Sequence, residues 1–202
     1  MRKIGIMGGT FNPIHNGHIA LAQAAFDYCG LDEVWFMPSG VSYLKKNDKI
    51  AASEDRMEMT RLAIEGLPCF RCSNLEVSRE GNTYTADTLE ILNEMYPECE
   101  FYFIMGADSL FGLSSWKEPE KIAALCTLVA VVRDSVNMQE LQSQQKLLER
   151  TLNAHIVLVP FHKMNISSSI IREKILNGEN VDEMVPVNVL SYIPQNQLYK
   201  EV

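Results

Sequence analysis

The sequence has 202 residues, 47% hydrophobic and 22% charged, an ordinary globular balance with enough chain to bury a core without disulfides or structural metals. Eighteen Lys and Arg against 26 Asp and Glu give a net charge of −8, which argues against a protein that coats nucleic acid and leaves any anionic ligand to a local positive site. No apolar run approaches the roughly 18 residues of a membrane span, Met1–Gly9 lacks the length and cleavage site of a secretion signal, and five cysteines, an odd number, suit reduced thiols in the cytoplasm.

In chain order, Arg2–Met7 reads as a buried strand that runs into a glycine-rich turn. Asn16–Cys29 follows as a helix, with Ile19, Leu21, Ala22, Ala25 and Phe26 on its apolar side and Gly30 as its stop. Glu33–Pro38 is a second strand and Ser39–Ala52 a polar loop with a basic tip. Ser53 is positioned to cap the next helix, which runs to Gly66 with Glu54 and Asp55 favourable against its dipole. Phe70–Val77 reads as a strand, Glu80–Asn82 as a turn, and Thr85–Tyr96 as a helix ended by Pro97. Glu100–Met105, Thr127–Val132 and His155–Val159 are further strands, the last two separated by a Gln-rich helix around Asn137–Arg150. Ser167–Asn177 and Pro186–Ile193 close the sequence as helices. There is no internal repeat, low-complexity tract or linker.

This alternation predicts an α/β fold with a doubly wound, mostly parallel sheet covered on both faces. Ligands of such sheets sit beyond the carboxyl ends of the strands, where the strand order reverses. The segments to inspect are therefore Gly8–His18, Pro38–Lys46, Gly106–Trp116, Arg133 and Pro160–Arg172.

Two motifs fall in that set. In Gly8-Gly9-Thr10-Phe11-Asn12-Pro13-Ile14-His15-Asn16-Gly17-His18, two glycines let the backbone turn and approach a bound group. His15 and His18, three apart at a helix start, can face one spot, and Gly17 between them leaves room for a ligand. The helix N-terminus adds N–H groups and a positive dipole end, which suits a phosphate chain. In Ile166-Ser167-Ser168-Ser169-Ile170-Ile171-Arg172, serines open a second helix and Arg172 adds a fixed charge. Alone, the second motif reads as an N-cap beside a solvated arginine; as a partner of the first it reads as a second phosphate-binding end.

Together these motifs resemble the nucleotidyltransferase superfamily marked by a His-x-Gly-His element and a serine-rich helix start. Gly81 with Tyr84-Thr85-Ala86-Asp87-Thr88, then Gly106-Ala107-Asp108, then Trp116, stand in the order of the bacterial nicotinate-nucleotide adenylyltransferases, and the resemblance runs from Arg2 to near the end of the sequence. It implies a single Rossmann-like nucleotidyltransferase domain over 1–202, with 167–202 a helical part that completes the ATP site. The implied reaction joins ATP to nicotinate mononucleotide, releasing pyrophosphate, with Mg²⁺ arriving on the triphosphate and needing few protein ligands. His15, His18 and Arg172 are the implied catalytic residues. Gly8, Gly9, Thr10, Phe11, Lys45, Gly106, Asp108, Ile166, Ser167, Ser168 and Ser169 are implied at the ATP, and Tyr84, Thr85, Trp116 and Arg133 at the mononucleotide. Where the family often shows Pro-Pro-His-Lys, this sequence has Val41–Lys46 (VSYLKK), with Lys45 at the matching place.

Other features carry less. Cys69 and Cys72 form a C-x-x-C, but zinc would need two more ligands at suitable spacing, so they read as structural thiols. His155 reads as structural and His162 as solvated. Rival functions are the same transfer to nicotinamide mononucleotide or another phosphate acceptor, a nucleotide sensor without turnover, and an RNA-binding or tRNA-charging module. The acidic balance and short chain disfavour the last. A homo-oligomer stays open.

Overall fold

The computed structural model describes residues 1–40, 50–133, 137–162 and 164–200, except for the Arg133 side chain. Six strands form one sheet in the order β3-β2-β1-β4-β5-β6. They are β1 (Arg2–Gly9), β2 (Glu33–Pro38), β3 (Phe70–Cys72), β4 (Cys99–Gly106), β5 (Thr127–Arg133) and β6 (His155–Phe161). β1–β4, β4–β5 and β5–β6 pair in parallel, with Gly5 opposite Tyr102 and Val129 opposite Val157. This order reverses between β1 and β4, as in doubly wound nucleotide-binding sheets. Helices α1 (Asn16–Cys29), α2 (Ser53–Ala63), α3 (Thr85–Met95), α4 (Ser109–Gly112), α5 (Pro119–Leu125), α6 (Met138–Leu152), α7 (Ser168–Leu176) and α8 (Val187–Gln195) connect and follow the strands.

The chain divides into two compact units. The first comprises Met1–Met7, Leu21–Trp35 and Thr83–Lys163. Its core is the apolar runs of the strands: Ile4, Val34, Leu128, Val129, Ala130 and Val131 have no exposed surface. Gly5 belongs to that packing, because a Cβ there would stand 2.8 Å from both Ile104 Cδ1 and Leu31 Cδ1. Asn137 caps α6, its side-chain oxygen accepting from the N–H groups of Gln139 and Glu140. The second unit comprises Gly8–Ala20, Phe36–Asn82 and Met164–Val202. Ile14, Phe36, Met37, Met59, Ile171 and Val189 are fully buried in it.

Two local expectations are corrected, and one unassigned stretch is filled. Ser53 is the first residue of α2 rather than its cap; Ala52 holds the cap position and Ser53 donates to Glu54 instead. The strand from Phe70 ends at Cys72; Ser73 N–H still donates to Phe36 O, but from Asn74 the chain hydrogen-bonds locally, Ser78 N–H to Asn74 O and Arg79 N–H to Glu76 O. A short helix, a 3₁₀ turn (Leu113–Ser115) and α5 occupy a stretch that apolar periodicity left unassigned. Left-handed Glu118 (φ 51°) breaks the chain before α5, and Pro119 opens it where a missing N–H costs nothing. No described helix is long and apolar enough to cross a membrane.

Candidate active site

In the second unit, β1 runs out through Gly8 and Gly9 into a turn that the glycines do not make. The left-handed residue is Phe11 (φ 48°), and one residue further on the Asn12–Pro13 peptide bond is cis. Gly9 serves the turn by yielding space, since a Cβ there would stand 2.8 Å from the Phe11 ring. That ring is buried and meets His18 edge-on at 5.0 Å. His15 is buried and half-buried His18 stacks on it, with centroids 3.6 Å apart. The His15 backbone N–H donates to His18 Nδ1 (3.3 Å), which makes Nδ1 an acceptor and leaves Nε2 to carry the proton of the neutral ring. The space over Gly17 is filled by the His15 ring: a Cβ would lie 3.0 Å from its Nδ1, so the expectation that a ligand occupies this space is replaced by a contact within the fold.

At α7 the serines divide their work. Ser167 caps the helix by accepting from Ile170 N–H, and Ser168 Oγ donates to Pro13 O (2.9 Å). The first-turn N–H groups have no acceptor within the helix, as at any helix start. Arg172 Nη1 donates to Asn12 O (2.8 Å). Thr10, Phe11, Asn12, His18, Ile50, Ser168, Ser169 and Arg172 line one cavity of about 90 Å³. Among the described residues its lining holds hydroxyls, an amide, an imidazole and a guanidinium, and no carboxylate. Of the residues expected at the phosphates, Gly8, Gly9, His15, Ile166 and Ser167 are outside this lining and stand behind or beside it.

Two further side chains hold this site and were not singled out in the sequence. Arg56 is buried, donating from Nε to Ala51 O (3.1 Å) and from Nη1 to Thr10 O (2.8 Å); burial lowers its pKa, opposed by Tyr199 and Glu54. Its sequence signal was its phase: Arg56 shares the buried face of α2 with Met59, Thr60 and Ala63, where an arginine needs partners. Tyr199 OH donates to Asn12 Oδ1 (2.9 Å), an oxygen that also accepts Ala51 N–H (3.0 Å). No spacing rule joins positions 12 and 199.

The residues expected at the mononucleotide lie in the first unit. Tyr84 holds the cap position of α3 in an extended conformation, without a side-chain capping bond, and Thr85 is the first helical residue. Trp116 follows the 3₁₀ turn, its ring perpendicular to Phe103 at 6.0 Å. Lys117 joins these segments: its Nζ lies 3.0 Å from both Asp87 carboxylate oxygens and 4.6 Å from the Tyr84 ring centroid. Gly106 ends β4 with open space where a Cβ would project, and Asp108 is exposed at the start of α4. Lys45 and the Arg133 side chain lie outside the described residues.

Sheet order, strand–helix alternation and sequence agree on a class. A family model described as cytidylyltransferase-like matches residues 6–174, which places the chain among the nucleotidyltransferases of that kind. A protein of Dehalococcoides mccartyi, named "Probable nicotinate-nucleotide adenylyltransferase", is 42% identical over 201 residues, covering 98% of this chain and 97% of its own. A protein of the same name from Lachnoclostridium phytofermentans is 41% identical over 199 residues, covering 98% of this chain and all of its own. The chain belongs to the nicotinate-nucleotide adenylyltransferase family. A solved structure of the Plasmodium falciparum nicotinic acid mononucleotide adenylyltransferase complexed with NaAD shares the fold, with a TM-score of 0.80 and 21% identity over 98% of each chain.

Proposed function

We propose that this chain transfers the adenylyl group of ATP to nicotinate mononucleotide, giving nicotinate adenine dinucleotide and pyrophosphate, a step of NAD biosynthesis. The observation that carries the site assignment is the cavity at His18, Ser169 and Arg172, whose described lining has no carboxylate and offers donors for phosphate oxygens. An oxygen of the 5′-phosphate attacks the α-phosphorus, and the bond from that phosphorus to the bridging oxygen of the β-phosphate breaks. The acceptor phosphate is largely dianionic near pH 7, its second pKa being about 6, so no general base is needed. Catalysis then rests on alignment and on charge stabilisation at the departing pyrophosphate.

In this reading His18 donates from Nε2 to a phosphate oxygen and His15 fixes which nitrogen does so. Ser169, the α7 N–H groups and Arg172 hold the triphosphate end, Thr10 and Phe11 shape the entry, and Gly8 and Gly9 admit the Phe11 turn. Ile166 and Ser167 set the start of α7. The bonds from Ser168, Arg172 and Tyr199 to the Asn12–Pro13 turn support the assignment of the C-terminal helical part to the ATP site. Gly106 and Asp108 are assigned to the nucleotide, with Asp108 accepting from a ribose hydroxyl. Tyr84, Thr85 and Trp116 are assigned to the pyridine carboxylate and ring, and Arg133 to the mononucleotide.

The metal belongs with the substrate. No group of three acidic, His or Cys side chains that could hold a metal occurs among the described residues, and the cavity donors suit phosphate oxygens rather than a cation. That donor set fits Mg²⁺ carried on the triphosphate, where it supplies charge neutralisation. Five free thiols support a reducing, cytoplasmic setting.

The test is pyrophosphate release with ATP and Mg²⁺, comparing nicotinate with nicotinamide mononucleotide. The expected result is strong preference for the acid; equal use of both would shift the acceptor assignment, and no release with either would remove the reaction.

A further inference from the structure

After α8 the backbone turns back on itself through two left-handed residues that are not glycine, Gln197 (φ 53°) and Tyr199 (φ 63°). Side chains rarely adopt this conformation, and it persists only where surrounding contacts impose it. The contact at Tyr199 is its hydroxyl on Asn12 Oδ1, across 187 positions of sequence. Burial raises the pKa of this phenol, so it stays a donor at neutral pH. The same α8 stretch is anchored by Tyr192 OH on Asp55 (2.9 Å) and Asn188 on Glu65 (3.0 Å), so the tyrosine is presented from a fixed base.

Asn12 is the junction. Its side-chain oxygen takes the Tyr199 hydroxyl and the Ala51 N–H, while its backbone carbonyl takes Arg172 Nη1. Whatever orients this one residue orients the guanidinium. We propose that Tyr199 is a positioning residue for adenylyl transfer, acting through Asn12 to aim Arg172 at the triphosphate. The proposal rests on the assignment of Arg172 to the triphosphate given above. Tyr199 itself touches no reacting group. Its hydroxyl holds the Asn12 side chain, the Asn12 peptide stays aligned, and Arg172 is fixed in one of its several rotamers before ATP arrives.

Tyr199→Phe removes only the hydroxyl and keeps the ring. The experiment measures kcat/KM for ATP, KM for nicotinate mononucleotide and the melting temperature in wild type, Tyr199→Phe, Arg172→Ala and the double variant. The proposal expects about a tenfold loss in kcat/KM for ATP, the scale of one hydrogen bond lost from a charged-group network. It also expects an unchanged KM for the mononucleotide, and no further loss when Tyr199→Phe is added to Arg172→Ala. A full additional loss in the Arg172→Ala background overturns it, as does an unchanged kcat/KM for ATP in Tyr199→Phe. If Tyr199→Phe lowers the melting temperature appreciably, Asn12→Ala reads the same coupling from the acceptor side: Tyr199→Phe must then cost nothing more, and an added cost overturns the proposal. Wild-type activity in Arg172→Ala overturns the Arg172 assignment and the proposal together. That outcome is distinct from failure of Tyr199 alone, in which Arg172→Ala is impaired and Tyr199→Phe is not.

Discussion

His15 and His18 lie ring on ring, their planes 23° from parallel, and the first donates its backbone N–H to Nδ1 of the second. Only His18 reaches the cavity; His15 is the buried wall that sets its tautomer and angle. Removing the cavity-facing ring takes away a preorganised donor, an effect worth roughly a hundred- to a thousand-fold in kcat at comparable sites. His18→Ala is therefore expected to lose pyrophosphate release on that scale while its circular dichroism and melting temperature stay near wild type. Near-normal turnover would remove the phosphate role assigned to His18.

Gly17→Ala separates stability from activity at the same place. An alanine in a helix gains up to about 1 kcal/mol over glycine, and Gly17 sits in the first turn of α1 without a left-handed φ. Its Cβ, however, would press on His15 at 3.0 and 3.1 Å, and that buried ring can move only by disturbing the stack with His18. The variant should melt within a few degrees of wild type and turn over more slowly. Equal kinetics would show that the histidine stack tolerates displacement.

Trp116 and Lys117 test the acceptor assignment. Trp116→Ala is expected to raise KM for the mononucleotide far more than KM for ATP, because the ring is assigned to the pyridine alone. Lys117→Met should act in the same direction and more weakly, since the partly exposed Lys117–Asp87 pair bears on the Tyr84 ring, which is assigned to the same substrate. Its effect should also shrink at high salt. Equal losses for both substrates in Trp116→Ala would undo the stacking assignment.

Arg56 predicts a loss of a different kind. Its guanidinium is buried and satisfies the carbonyls of Thr10 and Ala51. Arg56→Ala strands both acceptors and opens a void, a cost of about 3 kcal/mol by the usual scale for buried charged hydrogen bonds. For a chain of this size that is a fall in melting temperature of roughly 6–12 °C. A change of under a degree or two, by scanning calorimetry, would show that water or a neighbour replaces the guanidinium.

The periodic features of this protein were readable because they repeat. The bounds of α1 and β2 agree with the sequence reading residue for residue, and Ser167 caps α7 as its motif suggests. What escaped has no period. The left-handed turn at Phe11 looks glycine-made in sequence because two glycines precede it, yet packing of one aromatic ring decides which residue bends. α5 has only seven residues, too few for an apolar face to repeat. Tyr199 and Lys117 act on partners 187 and 30 positions away, and only the fold brings those pairs together. The site was legible where one local motif contains it and hidden where its support is long-range.

The thiols give a last prediction, on pH. Burial pushes the Cys126 thiol up to about 12 and that of Cys72 to about 11, from an ordinary value near 9. A raised folded-state pKa means that folding favours the neutral thiol, so this stability is fully present below about pH 9, where both states are protonated. It is lost as pH rises from there through the folded values of about 11 and 12, because only the unfolded chain ionises early. The melting temperature should hold between pH 7 and about 8.5 and then fall, and the fall should be shallower in Cys126→Ala. The same burial shields the thiolate chemistry. At pH 8, iodoacetamide should spare Cys99 and Cys126 in the folded protein and reach all five cysteines in guanidinium, as read by mass spectrometry. Rapid alkylation of Cys126 in the native state would mean that the β5 edge of the core opens on the timescale of labelling.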